Sequence, residues 1–354
     1  MQKKSIAVIF GGHSSEYEVS LQSAYSVLNN LNQEKYDIIA IGITKEGEWY
    51  RYLGVYDNIP ENTWMKDSAQ LVSIAVSQNR SMGGILEFHD HKSVLTKIDF
   101  VLPILHGKNG EDGTVQGLFE LAGIQVVGCN TLASALCMDK DRAHKLVKQA
   151  GIRVPEAVSL LPYNREHAVE QITANLDFPV FVKPVRAGSS FGITKVDEES
   201  KLQAAIDLAF EHDDQVIVEE NIDGFEVGCA VLGIDELLVG RVDEIELSSG
   251  FFDFTEKYTL KTSKIHMPAR IDAPCEAKIQ EAAKTIYRAL GCSGFARVDM
   301  FLTSKGEIVF NEVNTIPGFT SHSRYPNMMK GIGLSFDQML DRLLALYDIE
   351  KAEN

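Results

Sequence analysis

Residues 6–10 (IAVIF) form a short apolar run that meets Gly11-Gly12, and residues 19–31 then carry apolar side chains at helical spacing. A buried-strand pattern handed to a helix through glycines constrains the fold strongly, because such a helix must bury its apolar face on a sheet. Residues 37–43 and 100–105 read as further strands, and with helices between them they predict a parallel α/β sheet. Residues 50–95 show no regular period and receive no assignment.

A second unit is expected from Asp139, where MDKDRAHKLVKQAG predicts a helix ending at Gly151, with Pro155 as a stop. Two strand-like runs, 180–182 and 216–219, enclose the glycine-serine loop AGSSFG at 187–192. A third unit holds strand patterns at 226–233, 297–302 and 308–313. At 354 residues the chain exceeds what one core organises, so three domains are expected, 1–139, 140–218 and 219–354. The last residues, IEKAEN, read as a frayed tail.

The formal charge of -16 argues against nucleic acid or an anionic membrane as partner and favours a small polar substrate. The apolar run at 6–10 is too short for a signal or spanning segment, so a cytoplasmic protein is expected. Five scattered cysteines without a CxxC pair read as buried thiols.

Four constellations point to chemistry. RVDMF at 297–301 and VFNEVNT at 309–315 flank the turn-like TSKGE; paired as a hairpin, they bring Asp299, Glu312 and Asn314 together. Two carboxylates and an amide oxygen suit Mg²⁺; the alternative is a solvated strand face. Lys183 ends an apolar strand before Gly188, Ser189 and Ser190, whose backbone can approach phosphate, although a plain flexible loop reads the same way. Lys140 opens a helix as a phosphate ligand or a surface cation. VIVEENIDGFEV at 216–227 places Glu219, Glu220 and Glu226 after a buried strand, where backbone can line an adenine pocket and carboxylates can take ribose hydroxyls.

In this order the pieces resemble the ATP-grasp family, whose members clasp ATP between two α+β units and join a carboxylic acid to an amine. GGHSSEYEVS at 11–20, LHGKNGEDGTVQG at 105–117 and SHSRYP at 321–326 resemble the D-alanine-D-alanine ligases along the whole chain. The resemblance implies an N-terminal Rossmann-like, pre-ATP-grasp α/β domain followed by a two-part ATP-grasp fold. It implies that Glu16 holds the ammonium of the first D-alanine and that His106 lies near it. Lys140, Lys183, Ser189 and Ser190 would serve the ATP phosphates, Glu219, Glu220 and Ile222 the adenine region, and Glu226 the ribose. Arg297 and the Gly318 N–H would face the developing oxyanion. ATP and Mg²⁺ are the implied cofactors, with two ions expected and Mn²⁺ as a substitute, and a homodimer is expected by analogy.

Residues 248–264, SSGFFDFTEKYTLKTSK, match the family's lid, with Lys257 reaching the γ-phosphate and Tyr258 touching Ser189 and Glu16. The tyrosine implies an amide product, since D-lactate ligases lack it. Phe252 and Ser323-Arg324 resemble the D-alanine-D-serine ligases of vancomycin resistance, of the VanG type, because a guanidinium can bond a hydroxymethyl group but not a methyl. The expected product is D-Ala-D-Ser for peptidoglycan, made through a D-alanyl phosphate. The alternatives are a housekeeping D-alanine-D-alanine ligase with Arg324 turned to solvent, a nucleotide sensor without turnover, or a ligase for another carboxylate-amine pair.

Overall fold

The computed structural model describes residues 3–188, 191–247 and 263–348. The first sheet starts with β1 (Lys4–Gly11), which turns into α1 (Tyr17–Asn30) and returns as β2 (Tyr36–Ile43). β1 pairs in parallel with β2 and with Phe100–Pro103, and the latter pairs in parallel with Gln125–Val126. Between these, residues 50–97 extend the sheet through β3 (Trp49–Tyr52), β4 (Leu71–Val76), β5 (Gly84–His89) and β6 (Lys92–Lys97), all antiparallel. With Phe100–Pro103 as β7 and Gln125–Val126 as β8, the order is β6-β5-β4-β3-β2-β1-β7-β8. The sheet is therefore mixed rather than parallel throughout. Half-exposed strands such as KSVLTK bury too little to show an apolar period, which is why this arm carries no sequence signature.

Helices α2 (Thr114–Ala122), α3 (Thr131–Met138) and α4 (Lys140–Gln149) follow. Asp139 caps α4 by accepting from the Arg142 N–H at 2.9 Å, so Lys140 becomes its first residue. A four-stranded antiparallel sheet comes next: β9 (Ala157–Leu160), β10 (Val180–Pro184), β11 (Thr194–Val196) and β12 (Val216–Glu220). Helices α5 (Ala168–Asn175) and α6 (Leu202–Phe210) cover it, burying Ile172, Leu202 and Ile206 against Val180, Val182 and Val218.

The third sheet is also antiparallel, in the order β15-β14-β13-β16-β17: β13 (Gly224–Gly233), β14 (Leu237–Leu247), β15 (Ser263–His266), β16 (Gly294–Thr303) and β17 (Ile308–Asn314). Helix α7 (Ala273–Ala289) packs on it, and so do α3 and α4 through Ala133, Ala143 and Val147. The chain ends in α8 (Arg324–Lys330) and α9 (Phe336–Ala345). These two helices bury Met328, Leu340 and Leu343 in one cluster with Ile6, Val8 and Val27, so the C-terminal end shares a core with the first sheet. Among the described residues no helix is long and apolar enough to cross a membrane.

Candidate active site

The third sheet builds the centre of the site by register alone. Asp243, Gly228, Asp299 and Glu312 are direct partners across β14, β13, β16 and β17, and thus form one row on one face. Arg297 and Asn314 oppose each other two residues further along, on the same face. The expected hairpin therefore forms as read, with a register shift immediately after Asp299. Gly228 leaves a hollow in the row, for a Cβ there would stand 2.3 Å from Arg324 Nη2.

Arg324 fills that hollow from the start of α8. Its Nε and Nη2 donate to Asp243 at 2.7 Å each, Nη1 donates to Glu226 at 2.8 Å, and Nη2 lies 3.5 Å from Asp299. Its side chain is only 8% exposed, so it is not turned to solvent. Asp243, absent from the sequence-level candidates, is fully buried beneath it. Arg297 donates to Asp299 through Nε at 2.8 Å and Nη2 at 2.7 Å, and Asn314 Nδ2 donates to the same carboxylate at 2.9 Å.

Two cavities meet over this face. The first, about 480 Å³, is lined by Lys140, Lys183, Glu219, Glu220, Ile222 and Glu226 among others, bringing together the residues expected to hold the nucleotide. The second, about 600 Å³, is lined by Glu16, His106, Arg297, Gly318, Ser323 and Arg324, the residues expected to hold the amino acids. Lys140, Glu226 and Glu312 line both, and so mark the junction where a phosphoryl group could pass between them.

Lys183 is anchored by Glu219, Nζ to Oε2 at 2.5 Å. Burial by itself would push the Glu219 carboxyl up, but Lys183, with His144 and Lys140, holds it below the usual carboxylate range. Through Oε2 the Glu219 side chain thus anchors Lys183, while its Oε1 lies 3.7 Å from His144 Nδ1. Lys140 Nζ donates to the Ala187 carbonyl at 2.9 Å and lies 3.7 Å from Glu312, tying the glycine loop to the carboxylate row. A Cβ on Gly188 would stand 3.1 Å from Glu16 Oε2, which puts the loop against the amino-acid cavity. Gly318 lies close to Ser323 in the same way, for a Cβ there would stand 2.9 Å from Ser323 Oγ.

His106 is buried with both ring nitrogens engaged, Nδ1 with the Ile316 carbonyl at 2.9 Å and Nε2 with Ser23 Oγ at 3.2 Å. Burial holds its pKa below the ordinary value, in keeping with a neutral ring. Glu111, also missed in the sequence, reaches the same cavity, and burial together with nearby Glu16 pushes its carboxyl up to about 8. Ser189, Ser190, Phe252, Lys257 and Tyr258, with lid residues 248–262 and the tail at 349–354, lie outside the described residues.

Among the described residues no group of three or more His, Cys, Asp or Glu side chains could hold a metal ion. The carboxylate-amide set of Asp299, Glu312 and Asn314 agrees with that result, since it has only two such side chains. Hard oxygen donors on one sheet face fit a Mg²⁺ that takes its other ligands from phosphate and water.

The description "D-ala D-ala ligase N-terminus" matches residues 5–129, and "D-ala D-ala ligase C-terminus" matches residues 146–345. The chain belongs to the D-Ala-D-Ala ligase family. It is accordingly an ATP-dependent ligase of mixed α/β, ATP-grasp architecture, a class that works with ATP and Mg²⁺. The ligase is 71% identical to the solved structure of VanG D-Ala:D-Ser ligase from Enterococcus faecalis, with a TM-score of 0.93 over 98% of this chain and 100% of that one. It is 43% identical to the vancomycin C-type resistance protein VanC1 of Enterococcus gallinarum, over 98% of the chain and 99% of that protein. A D-alanine-D-alanine ligase of Caldicellulosiruptor bescii is 42% identical over 98% of the chain and 95% of its own length.

Proposed function

We propose that the ligase joins D-alanine to D-serine through a D-alanyl phosphate, giving peptidoglycan precursors that end in D-Ala-D-Ser and so lowering sensitivity to vancomycin. The observation that carries this reading is Arg324. A guanidinium fixed by Asp243 and Glu226 in the wall of the amino-acid cavity presents hydrogen-bond donors where a methyl group would have no use for them. Three of its five N–H groups are spent on those carboxylates, leaving donor capacity on Nη1 and Nη2.

The order of events follows from the inertness of a carboxylate. Glu16 holds the ammonium of the first D-alanine, whose carboxylate oxygen takes the γ-phosphoryl group of ATP, forming a P–O bond as ADP leaves. Lys140 and Lys183 neutralise the transferred charge, and Glu219, Glu220, Ile222 and Glu226 seat the nucleoside. Asp299, Glu312 and Asn314 would hold magnesium, as two ions with Mn²⁺ able to substitute; the metal supplies charge neutralisation on the phosphates. The amine of D-serine then attacks the acyl carbon. Arg297 and the Gly318 N–H stabilise the tetrahedral oxyanion, which collapses by expelling phosphate while the amine loses its proton. Ser189, Ser190, Lys257 and Tyr258 would close the site and exclude water, and Phe252 with Ser323 would flank the acceptor.

We further infer that the enzyme works in the cytoplasm as a homodimer, with the amino acids bound between residues 1–139 and the 297–324 stretch of the third unit, and the nucleotide between 140–218 and 219–354. The test is the ratio of kcat/KM for D-serine to that for D-alanine as second substrate, in wild type and in Arg324→Leu. A ratio is insensitive to loss of folded enzyme. Loss of one hydrogen bond to a charged group costs about 1.5–3 kcal/mol, so the ratio should fall by about tenfold or more. A wild type that prefers D-alanine, with a ratio unmoved by the substitution, would instead indicate a D-alanine-D-alanine ligase, as in the Caldicellulosiruptor relative.

A further inference from the structure

Glu16 at the N-cap of α1 and Ser20 and Ser23 within it are buried at spacings of four and three residues, in a helix whose other buried residues include Leu21, Ala24, Val27 and Leu28. Ser20 has an evident task in holding the ends of β1 and β7, since its hydroxyl accepts from the Gly11 N–H at 2.8 Å and donates to the Ile104 carbonyl. Ser23 does something else. It accepts from the Phe319 N–H at 3.2 Å and lies 3.2 Å from His106 Nε2, while His106 Nδ1 lies 2.9 Å from the Ile316 carbonyl.

One protonation state satisfies this whole chain. The neutral ring with its proton on Nδ1 donates to the Ile316 carbonyl, the Ser23 hydroxyl donates to Nε2, and the Ser23 oxygen accepts from Phe319. A third element joins it, for the Ile316 N–H donates to Glu111 Oε1 at 3.2 Å and the Gly107 N–H donates to Glu111 Oε2 at 2.8 Å. The backbone of Ile316 is thus held at both its N–H and its C=O, and that of Phe319 at its N–H. Only Pro317 and Gly318 lie between the fixed points. Beyond them the Phe319 ring stacks on Tyr325, with centroids 5.5 Å apart.

We infer that Ser23 and Glu111 are positioning residues: with His106 they clamp residues 316–319 from the N-terminal side, and so fix the Gly318 N–H for the oxyanion. The inference rests on the ligation reading above. Ser23 is fully buried and does not line the amino-acid cavity, so its effect must pass through the loop rather than through substrate. An oxyanion donor that can swing is a weak one, because electrostatic stabilisation depends on donors held in place before charge develops.

The experiment uses full-length Ser23→Ala and Glu111→Gln, measuring dipeptide kcat and the KM for ATP, with a thermal melt of each variant. The expected result is a fall in kcat of at least tenfold with the KM for ATP within twofold of wild type, as only the oxyanion loop is loosened. Should Ser23→Ala fail to fold, Glu111→Gln decides with the KM for D-alanine measured as well: it keeps the size of the side chain and loses one of the two acceptors. Because Glu111 also lines the amino-acid cavity, only a fall in kcat with that KM within twofold supports the clamp, while a matching rise in it overturns the clamp. Folded variants with kcat within twofold of wild type would overturn the clamp. So would a fall in kcat accompanied by a matching rise in the KM for ATP, which would mean general loosening. A wild type that forms no dipeptide at all defeats the ligation reading instead, and is thereby told apart from failure of the clamp.

Discussion

Glu111 shows what a single side chain in this cavity does to the whole protein. Burial, then the charge of Glu16 and more weakly that of Glu312, raise its pKa from the ordinary 4.5 to about 8, against the two backbone N–H groups that pull it down. The folded protein therefore keeps a proton that the unfolded chain releases. The associated stability is present in full below pH 4.5 and is lost progressively as pH rises to about 8. Melting temperatures of the ligand-free protein should fall across that window, and Glu111→Gln should flatten the fall; parallel curves for the two proteins would count against the assignment. Nothing in the sequence distinguished Glu111 from its neighbours in LHGKNGEDGTVQG, because burial beside Glu16 is a tertiary fact. Arg324 could be singled out in the sequence, but not its cage, since Asp243 lies 81 residues away. Ser23 could have been noticed as the third member of a polar stripe on an apolar helix face.

Among the elements, the period-2 pattern in VFNEVNT was enough to place Glu312 and Asn314 on one face and its pairing with RVDMF to bring Asp299 to them; the register agrees and adds Arg297 to that face. The helix at 140–149 was legible from its terminal glycine and Pro155, and the structure adds Asp139 as its cap. That cap carries a prediction. Asp139 orients the first turn of α4, and Lys140 begins it, so Asp139→Ala should cost about 1 kcal/mol in denaturant unfolding and raise the KM for ATP several-fold. A stability loss with unchanged KM would show that Lys140 does not depend on the start of this helix. The antiparallel arm at 49–97 stayed illegible because its strands are short and half-exposed, so that packing against the sheet rather than periodicity decides them.

For the molecule as a whole, the C-terminal helices are set in the core of the first sheet, and the Ile316–Phe319 backbone is bonded to residues of that N-terminal unit. The cavity lined by Glu16 and Arg324 is therefore built by both ends of the chain, while the one lined by Lys183 and Glu219 lies between the two antiparallel sheets. Which ends share a core depends on contacts about 300 residues apart, as in Ser23 and Phe319, and neither length nor the order of motifs reports them. We propose that this assembly spends ATP to join D-alanine to D-serine. The most direct measurement supplies equal D-alanine and D-serine with ATP and Mg²⁺, identifies the dipeptides by mass, and counts phosphate released. D-Ala-D-Ser is expected as the main product, with one phosphate for each peptide bond; D-Ala-D-Ala as the main product, or phosphate release without dipeptide, would defeat the proposal.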